Sequence, residues 1–84
     1  MRVPMQKKYT EELIRHPALD ADGRPCEILE RITFARTVGS DGRLKGRPKE
    51  INRRYDLKTG ERLLRVSDTE FADDETGARV TLRA

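Results

Sequence analysis

The sequence predicts an all-β domain, a small antiparallel sheet or barrel of four to six short strands joined by glycine turns, with one short N-terminal helix as an alternative first element. Three observations carry this reading. Glycine turns recur as Asp22-Gly23-Arg24, Asp41-Gly42-Arg43, Thr59-Gly60-Glu61-Arg62 and Thr76-Gly77-Ala78-Arg79. Glycine adopts positive φ at no steric cost, so Asp-Gly and Thr-Gly between mixed polar and apolar runs mark hairpins. Their near-regular spacing implies short strands between tight turns. From Cys26 to Val38 the even positions are Cys26, Ile28, Glu30, Ile32, Phe34, Arg36 and Val38, while the odd positions are mainly polar. That alternation is the period of a half-buried strand.

The first six residues are expected to be disordered, as chain ends often are. Residues 7–16 read either way. As a helix, Thr10 caps it, Tyr9 and Leu13 share a face, and Glu11 sits four residues before Arg15. As a strand, Tyr9, Glu11 and Leu13 alternate against Thr10, Glu12 and Ile14, and the strand-like chain downstream favours this reading. Pro17 is expected to end either element. Residues 17–25 read as a loop. The run 26–38 follows as a central strand, bracketed by Pro25 and Gly39 and rich in β-branched residues.

A polar, basic stretch follows to about Arg54. Arg53–Leu57 then reads as a strand, Lys58–Glu61 as its turn and Arg62–Val66 as the return. Ser67–Glu70 breaks that return strand, and Phe71-Ala72 opens a last acidic element that turns at Thr76-Gly77 and closes over Arg79–Arg83. The runs Lys58-Thr59-Gly60-Glu61-Arg62-Leu63 and Glu75-Thr76-Gly77-Ala78-Arg79-Val80 echo one another, which predicts two similar hairpins. Over its last 30 or so residues, through Tyr55–Leu63, Ser67–Phe71 and Thr76–Arg79, the chain resembles short bacterial proteins of no assigned function. The shared positions are turn and strand residues, so the resemblance implies a fold and no activity.

At 84 residues, residues 1–84 make one domain near the lower end of what folds alone. A chain of this size buries roughly 60–65% of the surface its unfolded form exposes. With 35% hydrophobic and 39% charged residues, and Tyr9, Phe34, Tyr55 and Phe71 as its whole aromatic complement, the core must be small. Self-association would complete it. No apolar stretch approaches a membrane span or a signal-peptide core, and the single Cys26 fits a reducing compartment, so a cytoplasmic protein with no membrane contact is expected.

The sharpest local feature is the run 43–54. Arg43, Lys45, Arg47, Lys49, Arg53 and Arg54 oppose a single acid, Glu50. Within it, Gly46-Arg47-Pro48-Lys49 resembles the core of an AT-hook, which lays a slim extended segment into a narrow, electronegative minor groove. It departs from that pattern where Lys45 replaces the first core arginine and where Glu50 follows. The plain alternative is a solvated hairpin loop. An acidic segment, Asp68, Glu70, Asp73, Asp74 and Glu75, matches no calcium-loop spacing and reads as a polar turn.

An enzyme would need His16 or Cys26, the residues here with near-neutral titration or strong nucleophilicity. Cys26 falls on the apolar face of its strand, and no catalytic, cofactor-binding or metal-binding motif accompanies the pair. The sequence therefore points to a non-enzymatic binding protein without cofactor. It would act through a protein partner or through itself as a homodimer by an exposed strand edge. Nucleic acid, bound by the basic loop 43–54, is the second reading, and an enzyme built on His16 and Cys26 the third.

Overall fold

The computed structural model describes residues 6–83, all strand, turn or extended chain. Six strands follow one another, β1 (Gln6–Leu19), β2 (Pro25–Val38), β3 (Leu44–Leu57), β4 (Arg62–Arg65), β5 (Glu70–Asp73) and β6 (Arg79–Leu82). Each hydrogen-bonds to the next, and β6 returns to β1, closing a barrel in the order β1-β2-β3-β4-β5-β6. The closing ladder sets Ala18 against Leu82 and Leu19 against Thr81. The all-β expectation and the strand number hold. The strands are less uniformly short than expected, because β1, β2 and β3 each run 14 residues.

The alternative N-terminal helix is not formed; residues 7–16 lie within β1, as the favoured strand reading has it. Helices of that length are marginal in water without an apolar stripe to bury, and Tyr9 and Leu13 alone do not make one. The expectation of disorder at residues 1–6 lies outside the described residues except at Gln6, which opens β1. Pro17 does not end the strand. Its carbonyl accepts the Arg83 N–H at 3.0 Å, and the donor it lacks would face the same side, at the last rung beside β6. The loop expected over 17–25 therefore shrinks to a turn at 20–24.

Three turns share one hydrogen-bond pattern. Asp20, Gly39 and Leu57 each donate N–H to the carbonyl four residues on (Arg24, Arg43 and Glu61) at 2.8–2.9 Å, and each accepts from the glycine three residues on (Gly23, Gly42 and Gly60). All three glycines have positive φ. This is the three-residue hairpin loop that ends on a left-handed glycine. Gly60 thus matches Gly23 and Gly42. The expected twin, Gly77, also has positive φ but closes a loop one residue longer, between Asp73 N–H and the Ala78 carbonyl.

The chain clusters into two compact units. One takes residues 13–31 and 54–84, the other 1–12 and 32–53. In the first, every strand contributes to the core. Ala18, Ile28, Leu63, Phe71 and Val80 are buried, and Cys26, Tyr55, Leu57 and Leu82 pack against them. Phe71, 2% exposed, faces Val80 across the β5–β6 ladder and stacks at a tilt on Tyr55, ring centres 4.9 Å apart. Leu63 faces Tyr55 across β3–β4.

Of the face expected to run Cys26, Ile28, Ile32, Phe34 and Val38, Cys26 is only half-buried, packed against the core, and Ile28 and Ile32 are buried. Beyond Ile32, Ala35 is buried, while Phe34 and Val38 are only half-buried. In that unit the described β1 residues 6–12 and the β3 residues 44–53 are all exposed, so little apolar surface is available to enclose a phenylalanine.

Candidate nucleic-acid interface

The run 43–54 is not a loop. Arg43 closes the turn after β2, and Leu44 onward forms β3. No apolar face announces this strand, since each residue from 44 to 54 is exposed, and its pairing is carried by the backbone. Within it Gly46 takes φ +70°, which breaks regular pleating, and its carbonyl accepts Arg36 Nε–H of β2 at 2.8 Å. Lys45 lays its aliphatic stem over Gly39. A β-carbon built there would stand 2.4 Å from Lys45 Cε.

Beyond Gly46, alternation sends Arg47, Lys49 and Ile51 to one face, their steps roughly 6.6 Å apart. With Lys45 and Gly46 they line a hollow of about 310 Å³, completed by Ala35, Arg36 and Thr37 from β2 and Lys7 from β1. Five cations from three strands thus share one concavity whose lining holds no carboxylate. Charges of one sign in a shaped, partly walled site raise the local potential and attract a polyanion. Among the described residues, this unit carries eight Lys and Arg against four Asp and Glu; the other carries nine against eleven.

Of the six bases singled out in the sequence, Lys45, Arg47 and Lys49 converge here. Arg43 remains in its turn, outside the lining. Arg53 pairs with Glu50 three residues back, and Arg54 Nε donates to Asp56 Oδ2 at 3.2 Å. Lys7 and Arg36 escaped the sequence reading, Lys7 in an ambiguous segment and Arg36 among apolar even positions. The turn does contain a signal for Arg36: three residues outward from the Gly39/Arg43 pair on each side stand Arg36 and Gly46.

His16 and Cys26 serve different surroundings. His16 Nε2 donates to Glu30 Oε1 at 2.9 Å, and Tyr55 Oη donates to Glu30 Oε2 at 3.2 Å. Glu30, 7% exposed, is thereby satisfied inside the barrel. Arg65 reaches the Tyr55 hydroxyl at 3.4 Å and lies over its ring. Cys26 lines a separate hollow with Asp20, Leu57 and Lys58. Its thiol is pushed up by burial and then by the Asp20 charge, which keeps it protonated and poorly nucleophilic at neutral pH.

In the acidic segment, Asp73 Oδ1 accepts the N–H groups of Glu75 and Thr76, and Asp68 pairs with Arg65 at 3.6 Å, the contacts of a polar turn. Among the described residues, no three His, Cys, Asp or Glu side chains converge to hold a metal. No protein-family model, curated protein or solved structure matches the chain.

Proposed function

We propose that this protein binds the phosphate backbone of nucleic acid through the basic hollow of β1, β2 and β3. The observation that carries the reading is the convergence of Lys7, Arg36, Lys45, Arg47 and Lys49 on one lining without an acid. Guanidinium forks and ammonium groups suit phosphate oxygens, and contacts of this kind position a nucleic acid without reading its sequence. The lining offers Ala35, Thr37 and Ile51 but no aromatic ring, so stacked bases have no platform there.

The binding mode differs from that of an AT-hook. Gly46-Arg47-Pro48-Lys49 lies in a strand paired to β2. Two strands at roughly 4.8 Å spacing plus their side chains exceed a minor groove about 6 Å wide. Binding therefore proceeds from the surface of a sheet and shows no A·T preference.

The test is fluorescence anisotropy at low salt with mixed-sequence duplex DNA, duplex RNA and single-stranded RNA. Arg47→Ala with Lys49→Ala should abolish most of the binding. Arg43→Ala with Arg54→Ala, which lie outside the hollow, should leave most of it. The reverse ranking would remove the hollow from the account.

A further inference from the structure

We propose that the chain forms a homodimer by antiparallel pairing of the free edge of β1 with the same edge of a second copy, centred on Thr10. β6 pairs with β1 at Ala18 and Leu19, so over residues 6–12 the only described strand beside β1 is β2. Such an edge presents unpaired N–H and C=O groups to any strand of suitable pattern.

Among the described residues, two edges of this kind exist in the unit, and they differ in chemistry. On β3, Pro48 removes a backbone donor, and Lys45, Arg47 and Lys49 outnumber the acid Glu50, so two copies would repel. On β1 the pattern is self-complementary: Lys8-Tyr9-Thr10-Glu11-Glu12. A two-fold axis through an antiparallel pair sets residues of like parity opposite one another, because facing residues must point to the same side.

With Thr10 facing Thr10, Lys8 faces Glu12 of the second copy, and Glu12 faces Lys8 of the second copy. Opposite charges and Thr–Thr pairs are favoured cross-strand neighbours. Tyr9, 60% exposed, then lies diagonal to its mate, a spacing that aromatic side chains span. The second copy is thus selected by charge order, backbone edge and an exposed ring together. Neither Lys8 nor Glu12 lines the basic hollow, so this inference stands apart from nucleic-acid binding.

Sedimentation velocity of the full chain without nucleic acid, over a dilution series, reads the dimer directly. A monomer–dimer equilibrium that weakens with added salt is expected. Lys8→Glu and Glu12→Lys should each weaken association about ten-fold or more, by setting like charges opposite, and an equimolar mixture of the two should recover it as a heterodimer. A wild-type protein that stays monomeric at every concentration, or a mixture no better than its parts, overturns the proposal. In a Cys26→Ser background, oxidised Thr10→Cys should yield a disulfide-linked dimer, since facing Cα atoms stand about 4.5–5.5 Å apart. Leu13→Cys should not, and equal cross-linking at both positions contradicts the register.

Discussion

Arg36 of β2 holds the carbonyl of Gly46 in β3 at 2.8 Å, where the β3 backbone turns left-handed at φ +70°. One residue type permits that backbone, and one side chain ties it to the neighbouring strand. Nothing stands within 4 Å of the position a Gly46 β-carbon would take, so the cost of replacement is backbone strain alone. Gly46→Val should lower stability by about 1–2 kcal/mol and weaken the proposed nucleic-acid binding by displacing Lys45 and Arg47. Thermal melting checks the first effect. A variant as stable as wild type would show that this strand tolerates regular pleating.

The Phe71 ring is the hinge of the core energetics. Phe71→Ala should cost about 3–5 kcal/mol, enough to unfold most of a marginal domain, whereas half-buried Phe34→Ala should cost clearly less. Urea midpoints of the two variants give the comparison, and equal losses would contradict the packing described.

Glu30 illustrates what pattern reading conveys and what it leaves out. Alternation along 26–32 placed Glu30 on the buried face beside Ile28 and Ile32, and it is buried. Its partners were not legible, since His16 lies 14 residues away and Tyr55 lies 25 away, and their meeting depends on how β2 pairs with β1 and β3. The glycine turns were legible because positive φ is a local demand. β3 was not, because a strand exposed along 44–54 shows no apolar period. Three of the five cations of the basic hollow, Lys45, Arg47 and Lys49, were visible as a linear run; Lys7 and Arg36 join them only through strand pairing.

From that cluster comes a further prediction. Glu30→Ala removes the acceptor for both His16 Nε2 and Tyr55 Oη inside the barrel. An unfolding free energy lower by about 1–3 kcal/mol is expected from denaturant titration. No change would mean that water reaches both groups readily.

Cys26 sets a pH dependence. Burial, then the Asp20 charge, raises the folded thiol above its unfolded value, so the neutral form is favoured in the fold. Its contribution is fully present below the unfolded pKa, about 8.5, and is lost as pH rises through the raised folded value. Iodoacetamide should label the native protein at pH 8 far more slowly than the urea-unfolded chain. Asp20→Asn should speed native labelling while keeping a side-chain oxygen for the Asp22 and Arg24 N–H groups. Native and unfolded rates that coincide would place the thiol in open solvent.

On the proposed reading five cations act together on phosphates, so duplex DNA binding should fall steeply with added salt. Neutralising about five phosphates predicts a slope of log K against log salt near −4.5, and Arg47→Ala should reduce its magnitude by about 1. Arg54→Ala, already paired to Asp56, should leave the slope unchanged. Binding absent at low salt, or a slope that Arg54→Ala moves and Arg47→Ala does not, would contradict the account.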